Sequence, residues 1–467
     1  MIDGLKPYPQ MKDAGVAWLG EVPSDWNVTA LRALAVVKKG RQPSRLFGPE
    51  RPAQGVPYQS MNYMRSARQE PTEFALPEPG LVIAESGATV LLWDGANAGE
   101  FFRARGGVVS STSALVTPCG IAPDYFFYAC QVVEPHLRAL TVGMGIPHVD
   151  GNVLKNLRVP VPSASEQTAI VRFLDHADRR IRRYIRAKQK LIKLLEEQKQ
   201  AIIHQAVTGR IDVRTGQPYP AYKNSGVEWL GEVPEHWGIR RNGRLFAQRN
   251  ETGFGDLPIL EVSLRTGVRV RDFESADRKQ VMADREKYKR AVAGDIAYNM
   301  MRMWQGAAGV APVDGLISPA YVVARPIPGT EPRYFEYLFR LPAYMGEVDK
   351  YSRGIVKDRN RLYWEDFKQI PCCYPPYIEQ AAIADAIART TAGIEAASDR
   401  VRREIALFME YRTRLIADVV TGKLDVREAA ARLPDEGDEP PPDAADDESA
   451  PDEPADDLDA VPEDAEA

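Results

Sequence analysis

The sequence predicts a mixed α/β (α+β) protein built as a tandem repeat, with two globular segments separated by two long helices. Residues 8–26 return as residues 219–237, and twelve of the nineteen aligned positions are identical, where chance gives about one. A second matching pair, residues 165–214 and 378–427, lies downstream at an offset of 213. The stretches between these motifs share little sequence. A fixed frame with two different inserts indicates one scaffold that holds two different recognition surfaces.

The downstream motifs predict long helices. Residues 166–208 contain neither proline nor glycine, and apolar residues recur in steps of four and three, a heptad pattern. The pattern predicts helices of about 42 residues and about 60 Å, with Ser165 at the start of the first and with Gly209 and Gly422 as stops. The predicted seam consists of Ile170, Leu174, Ile181, Leu191, Leu195, Ile383, Ile387, Ile394, Val401 and Phe408.

One such helix alone cannot bury its apolar stripe, whereas two can bury each other. Pairing of the two helices is therefore predicted. The repeat indicates that the pair is antiparallel, because this direction would bring residues 8–26 close to the end of the second helix. That junction would repeat the one that the chain makes at 166–237. The alternative is that each helix packs only on its own globular segment.

The net charge of −5 averages two unlike parts. Residues 434–467 hold sixteen Asp or Glu and no Lys or Arg, so the rest of the chain carries +11. The basic body indicates a polyanionic partner, although many proteins carry such an excess without binding nucleic acid. The acidic, proline-rich tail is predicted to be disordered.

The four cysteines and five histidines show no metal-binding spacing. This pattern predicts no metal and a reducing, cytoplasmic location. No apolar run is long enough to span a membrane, and the N-terminus does not have the pattern of a signal peptide.

Both inserts mix short β-rich runs with an aromatic-rich helix, and both end in polar or basic loops. Arg and Gln suit base readout and Lys suits phosphate, although for any one residue a solvated surface role is the more common alternative. The candidate DNA-binding residues are Lys38, Lys39, Arg41, Arg45, Asn152 and Lys155 in the first insert, and Arg302, Gln305, Arg353, Lys357 and Arg359 in the second.

The repeated tryptophans Trp18, Trp26, Trp229 and Trp237 are interpreted as packing residues of the frame rather than as base-stacking platforms. The run Tyr374–Tyr377 (YPPY) is similar to a methyltransferase motif but is interpreted as a linker into the second helix. The sequence contains no P-loop, and no nucleophile–base arrangement predicts a catalytic site.

The frame resembles the specificity subunit of type I restriction–modification enzymes. The resemblance rests on GVAWLGEVPSDW and GVEWLGEVPEHW, on the helix beginnings VPVPSASEQ and PPYIEQ, and on the helix ends VTGRIDV and VTGKLDV. It implies a non-catalytic DNA-recognition subunit with no cofactor of its own. Its partners would be double-stranded DNA, two methyltransferase subunits that use S-adenosylmethionine, and restriction subunits that use ATP and Mg²⁺.

The resemblance also implies a division of the chain. The expected segments are an N-terminal frame motif (1–27), a target recognition domain (28–162), a central helix with the repeated motif (163–237), a second target recognition domain (238–375), a C-terminal helix (376–428) and the disordered tail (434–467). The helices would act as a ruler between the two halves of a split DNA site. Two alternatives are a methylation-only system and a coiled-coil adaptor whose inserts bind proteins.

Overall fold

The computed structural model describes residues 5–65, 70–143, 145–271, 285–354 and 360–434. These residues divide into two compact units. The first unit contains residues 5–190 and 401–434, and the second contains residues 191–400. Each unit therefore takes one half of each long helix.

The first unit contains eleven described strands and four short or medium helices before the first long helix. The strands are β1 (Met11–Asp13), β2 (Glu21–Pro23), β3 (Asn27–Ala30), β4 (Ala35–Lys39), β5 (Leu46–Phe47), β6 (Val56–Gln59), β7 (Phe74–Ala75), β8 (Ile83–Leu92), β9 (Phe101–Val109), β10 (Ser113–Pro118) and β11 (Arg158–Val161). The helices are α1 (Leu31–Leu34), α2 (Met61–Arg65), α3 (Pro123–Ala139), α4 (Gly151–Asn156) and the long α5 (Ala164–Val207).

The first insert is built on a seven-stranded sheet with the order β4-β10-β8-β9-β6-β7-β5. Its pairs are antiparallel except for the β6–β9 pair. Helix α3 buries Tyr125, Phe126 and Val133 in the core of this unit, as expected for an aromatic-rich helix on a sheet.

The second unit contains the following elements after α5. Its strands are β12 (Tyr222–Asn224), β13 (Glu232–Pro234), β14 (Gly238–Arg241), β15 (Phe246–Arg249), β16 (Leu260–Ser263), β17 (Gly267–Val270), β18 (Lys289–Ala291), β19 (Ile296–Asn299), β20 (Ala308–Val310), β21 (Gly315–Ile317), β22 (Tyr321–Pro326) and β23 (Pro371–Tyr374). The helices are α6 (Pro332–Phe339), α7 (Pro342–Tyr351), α8 (Trp364–Phe367) and the long α9 (Tyr377–Val420), whereas α10 (Arg427–Ala431) belongs to the first unit.

The second insert has a smaller main sheet than the first, with four strands in the order β15-β22-β19-β20. Two further antiparallel pairs accompany it: β16–β17, whose strands are consecutive, and β18–β21, whose strands are separated by β19 and β20. Its core is strongly aromatic, because Phe246, Phe335, Phe339, Tyr344 and Phe367 are all fully buried. The two inserts therefore share a class of fold but not a strand order, which agrees with their dissimilar sequences.

The two ends of each insert lie side by side. Strand β3 pairs antiparallel with β11 in the first unit, and β14 pairs antiparallel with β23 in the second. Each pair is followed by the start of a long helix. The run Tyr374–Tyr377 links β23 to α9, so the interpretation of YPPY as a linker is confirmed.

The long helices pair antiparallel within each unit. In the first unit, Lys188 pairs with Glu404 at 2.8 Å and Asp178 pairs with Arg412 further toward the end of α9. Tyr184 contacts Phe408 between these pairs, with ring centroids 4.4 Å apart. In the second unit, Lys199 pairs with Glu395 at 2.8 Å. Because α9 numbers fall as α5 numbers rise, the predicted pairing direction is confirmed.

Burial along the seam is uneven and does not follow distance from the helix ends, since Ile181 and Val401, near the middle of their helices, are both buried. Six of its predicted members are buried, namely Ile170, Leu174, Ile181, Ile383, Ile387 and Val401. Leu195, Ile394 and Phe408 are half-buried. The prediction was wrong for Leu191, which is 39% exposed. The helix start also differs: Ser163, not Ser165, takes the first cap position, and Glu166 N donates to its Oγ at 3.4 Å.

A buried carboxylate joins the frame motif to the start of each helix. In the first unit, Glu166 accepts hydrogen bonds from Tyr8 Oη at 2.6 Å and from Trp26 Nε1 at 2.9 Å. Arg427, just after the end of α9, lies 3.8 Å from the same carboxylate. Motif, helix start and the opposite helix end therefore meet at one point, as antiparallel pairing predicts.

The second unit repeats this junction at equivalent positions. Glu379 accepts hydrogen bonds from Tyr219 Oη and from Trp237 Nε1, and Arg214 lies 3.9 Å from it. His236 Nε2 adds a contact at 2.9 Å that Asp25, its counterpart in the first motif, does not make in the described structure. The packing interpretation is confirmed for Trp26 and Trp237, which are both fully buried.

The other two repeated tryptophans pack between the frame motif and the insert. Trp18 stacks on His136 of α3 with ring centroids 5.9 Å apart, and Trp229 packs edge-on against Tyr344 of α7 at 5.4 Å. Both therefore agree with the structural interpretation of the repeated tryptophans.

Candidate nucleic-acid interface

In the first insert, the turn after β8 is fastened to the loop that precedes α4. Val149 N donates to Trp93 O at 2.9 Å, and Gly95 N donates to Pro147 O at 2.9 Å. Val142 and His148 exchange both backbone hydrogen bonds and so close the base of the loop between them. Backbone pairing of this kind fixes the position of two loops that would otherwise move independently.

In the second insert, the turn after β19 and the loop before α8 are joined in the same way. Leu362 N donates to Met300 O at 2.9 Å. Arg353 and Arg361 exchange both backbone hydrogen bonds and close the base of their loop. These residues follow Val142 and His148 by 211 and 213 positions, the same offsets as the frame motifs. The two inserts thus present an equivalent pair of loops despite their different sheets.

The candidate residues of the first insert fall into three groups. Lys38 and Lys39 are exposed at the end of β4, an edge strand of the sheet. Arg41 and Arg45 are exposed in the segment between β4 and β5. Asn152 and Lys155 are exposed on α4. An exposed edge strand, a connecting segment and a helix therefore carry the predicted cations.

Trp93 connects two of these groups, and the sequence reasoning missed it because Trp93 was taken only as the end of a strand. Lys39 Nζ lies 5.7 Å from the centre of the Trp93 ring and 2.9 Å from Asp94. On the other side, a Cβ added to Gly151 at the start of α4 would lie 3.5 Å from the same ring. The half-buried indole therefore lies between Lys39 and the helix that carries Asn152. Aromatic faces and cations together suit stacking and phosphate contacts.

Arg41 and Arg45 lie in different surroundings. Arg45 packs its guanidinium over Phe47, 4.7 Å from the ring centre. Ser44 donates two hydrogen bonds to Glu78. These hydrogen bonds, with a smaller contribution from the charge of Arg41, lower the pKa of the Glu78 carboxyl. Glu78 therefore stays ionised at neutral pH and reduces the positive potential beside Arg41.

In the second insert, three candidates lie on the paired loops. Arg302 is half-buried and Gln305 is exposed in the turn between β19 and β20. Arg353 is exposed at the base of its loop and forms an ion pair with Asp366 of α8. Lys357 and Arg359 lie outside the described residues. Arg361, which sequence reasoning missed, is half-buried opposite Arg353; the constant offset between the inserts is the signal that would have found it.

No group of three or more His, Cys, Asp or Glu able to hold a metal ion is found within the described ranges. All four cysteines are free, and only Cys119 is exposed. Burial raises the pKa of the Cys373 thiol to about 12, which keeps it protonated and unreactive at neutral pH. In the part of the chain that the structure describes, no helix has the length and apolar character needed to cross a membrane.

Comparison with known proteins gives consistent matches. Residues 23–194 match the family model described as the type I restriction modification DNA specificity domain. The chain is 30% identical over 221 residues to the type I restriction enzyme MjaVIII specificity subunit of Methanocaldococcus jannaschii, which is 47% of this chain and 48% of the relative. It is 25% identical over 171 residues to the MjaIX specificity subunit of the same organism, 34% of this chain and 39% of the relative.

The chain thus spans about half or less of the length of these curated relatives in sequence. Structural similarity covers more of the chain than sequence similarity does. A solved chain from work described as the structural basis underlying complex assembly and conformational transition of the type I R-M system superposes with a TM-score of 0.60. The alignment covers 86% of this chain and 99% of the other at 16% identity, so it shows a shared fold. The resemblance to type I restriction–modification specificity subunits, predicted from the repeated motifs, is confirmed by these matches.

Proposed function

We propose that this protein is the sequence-specific DNA-recognition subunit of a type I restriction–modification complex. Residues 28–162 and 238–375 are its target recognition domains, and each reads one half of a split site. The observation that carries the proposal is the equivalent pair of loops in two inserts of different sheet order, joined by the same backbone hydrogen bond between Val149 and Trp93 and between Leu362 and Met300. Two similar frames with unlike surfaces suit a site with two unlike halves.

The DNA contacts are proposed for the candidate polar and basic residues of the two inserts. In the first domain they are Lys38, Lys39, Arg41, Arg45, Asn152 and Lys155; in the second they are Arg302, Gln305, Arg353, Lys357 and Arg359. Lysines would bind phosphate and position the duplex, whereas Arg and Gln can make paired contacts to base edges.

The two long helices set the distance between the half-sites. Each is 44 residues long, so one turn more or less would change the length by about 5.4 Å. Four residues inserted into both helices are therefore expected to change the preferred spacer between the half-sites. An unchanged spacer would contradict the ruler.

The partners follow from this role. Two methyltransferase subunits that use S-adenosylmethionine would dock on the frame, and restriction subunits driven by ATP and Mg²⁺ would join them. The chain itself would hold no cofactor and perform no chemistry, and it would work in the cytoplasm, where such a complex meets its DNA.

The proposal is tested by co-expressing the chain with the methyltransferase subunit and mapping N6-methyladenine across the genome. A motif of two specific parts with a fixed spacer is the expected result. The double variant R302A/Q305A should relax the motif in one half only, and K38A/K39A should weaken modification without changing the motif, since phosphate contacts carry little base information. A one-part motif, or methylation that the chain does not redirect, would contradict the proposal.

The salt dependence of DNA binding distinguishes the proposed function from the alternative of a coiled-coil adaptor. Binding of a duplex that contains the mapped motif should fall steeply and linearly in a log–log plot against salt, because bound phosphates release counterions. An adaptor whose inserts bind proteins would show no such dependence. A methylation-only system would give the same motif and differ only in lacking a restriction subunit.

A further inference from the structure

The outer face of α5 carries a stripe of cations. Residues 179–195 contain eight Lys or Arg and no Asp or Glu. Arg179, Arg183, Arg186 and Lys190 recur in steps of four, three and four, which places them on one side of the helix. All four are exposed. Ile181, on the opposite side, is buried, so the stripe faces away from the packed seam.

The described chain ends beside one end of this stripe. Helix α10 is followed by Leu433 and Pro434, and Arg172 Nη2 donates to the backbone oxygens of both, at 2.7 and 3.2 Å. Arg172 is two helical turns before Arg179 and therefore on the same side of α5. The last described residue, Pro434, therefore lies on the side of α5 that carries the stripe, about two turns before Arg179.

The charge of residues 435–467 complements the stripe. They contain sixteen Asp or Glu and no Lys or Arg, and four of the first five residues, 435–439, are acidic. The distance along α5 from Arg172, beside Pro434, to Lys190, the last residue of the stripe, is about 27 Å at the helical rise. A fully extended chain covers that length with about eight residues, so the acidic segment is several times longer than it needs to be.

We propose that residues 435–467 bind the cationic stripe of α5 in the same chain. Each exposed ion pair is weak on its own, but many pairs act together, and the covalent link gives an effective concentration on the order of millimolar. The consequence rests on the proposed function: by covering these cations, the tail lowers the affinity of the subunit for DNA of random sequence and leaves the loops of the inserts open for specific sites.

The binding is tested directly and without DNA. A chain that stops after Pro434 is mixed with a fluorescent peptide of residues 435–467, and anisotropy is measured at low and at high salt. We expect binding at about 0.05 M salt that is largely lost at about 0.5 M, because salt screens exposed charges. The triple variant R183Q/R186Q/K190Q should weaken the peptide about tenfold or more, since three cations opposite a polyanion are removed.

Three controls make the test decisive. The variant K223Q/R244Q/R325Q removes three exposed cations from the second unit and should leave the affinity within about twofold. A peptide with every Asp and Glu changed to Asn and Gln should not bind, which gives a result independent of any protein variant. The full chain should bind added peptide about tenfold more weakly than the shortened chain, because its own tail occupies the stripe.

Three results would overturn the proposal, and the first two concern the peptide alone. One is equal loss of peptide binding in the two triple variants, and the other is equal peptide affinity for the full and the shortened chain. Binding of random duplex DNA to the stripe without any binding of the peptide would also overturn it and would assign the stripe to nucleic acid. None of these results depends on methylation, so the tail proposal and the proposed function can fail separately.

Discussion

Tyr8 donates a 2.6 Å hydrogen bond to Glu166, although 158 positions separate the two residues in the chain. Burial, followed by the hydrogen bond and charge of Glu166, raises the pKa of the Tyr8 phenol. The phenol therefore stays protonated and keeps its role as donor to the carboxylate. Tyr219 and Glu379 repeat this relationship, with 160 positions between them. A phenol in each frame motif thus fastens that motif to the beginning of one long helix.

Loss of the central carboxylate should destabilise one unit specifically. In E166A, the buried Tyr8 and Trp26 donors lose their acceptor, at an expected cost of about 2–4 kcal/mol in the free energy of unfolding. E166Q retains one acceptor oxygen and should cost less. Hydrogen exchange resolved by peptide should show faster exchange near residues 8–26 and little change near residues 219–237.

The matched control is E21A, since Glu21 is exposed on β2, and its effect should stay within about 0.5 kcal/mol. Equal acceleration of exchange around both frame motifs in E166A would show that the junctions do not act separately.

The glycines that end the long helices should tolerate no side chain. Gly422 has a φ of +75°, and a Cβ there would lie 2.2 Å from Pro23 Cδ. Gly15 has a similar φ of +67° with no atom within 4 Å of a Cβ. Both substitutions to alanine carry the backbone cost of a left-handed conformation, about 1 kcal/mol, but only G422A adds a clash.

We therefore expect G422A to cost about 1–3 kcal/mol more than G15A in urea denaturation. G209A should resemble G422A, because its Cβ would lie 2.5 Å from Pro234 Cδ. Equal costs for G422A and G15A would show that the close approach of Pro23 is relieved by a small backbone shift.

The frame could be predicted from the sequence because its motifs occur twice in the chain. The heptad pattern predicted the long helices, and the repeat located the motifs and the positions of Gly209 and Gly422 and gave the pairing direction. Ser163 was missed as the cap because a serine two positions later suits the same role. Leu191 was misjudged because a heptad pattern records which residues face one side, whereas the 39% exposure of Leu191 depends on the tertiary packing at that level of the helix.

The candidate interface was only partly predictable. Basic residues in loops are visible in the sequence, but their neighbours depend on contacts between distant segments. The position of Trp93 between Lys39 and α4 requires the backbone bond from Val149, 56 positions later. Likewise, Arg353 was predicted as a candidate DNA-binding residue, but its ion pair with Asp366 could not be predicted from the sequence. Local composition carries no information about such pairs.

Burial along the seam predicts unequal effects of the same substitution. I181D places a charge at a position that is 7% exposed, and it should cost about 3 kcal/mol or more. L195D, at a half-buried position, should cost less, and L191D should cost least because Leu191 is 39% exposed. Thermal and urea denaturation of the three single variants would give this order. A cost for L191D equal to that for I181D would mean that the side chain of Leu191 is as closely packed as that of Ile181.

Two carboxyls one turn apart on α5 should respond to acid with opposite sign. Burial acts to raise the pKa of Asp178, but Arg182 and Arg412 more than offset it, so the pKa is lowered in the folded state. Burial, only partly opposed by the hydrogen bond from Tyr128, raises the pKa of Asp175. A carboxyl whose pKa is lower in the folded than in the unfolded state stabilises the protein at pH values above the unfolded pKa of about 3.9. This stabilisation is lost as the pH falls through the folded pKa. A carboxyl whose pKa is higher in the folded than in the unfolded state stabilises the protein at pH values below the unfolded pKa of about 3.9. This stabilisation is lost as the pH rises through the folded pKa.

We therefore expect D178N to reduce the free energy of unfolding at neutral pH and to leave it nearly unchanged in strong acid. D175N should do the opposite: it should leave the free energy of unfolding nearly unchanged below about pH 4, where the wild-type carboxyl is protonated in the folded state and resembles the Asn amide, and it should stabilise the protein relative to wild type toward neutral pH, because the buried negative charge is removed. Urea denaturation from about pH 2 to pH 7 measures both profiles. Parallel profiles for the two variants would mean that Arg412 does not select the ionised form of Asp178, and that the ion pair contributes nothing to the pairing of the two long helices in this unit.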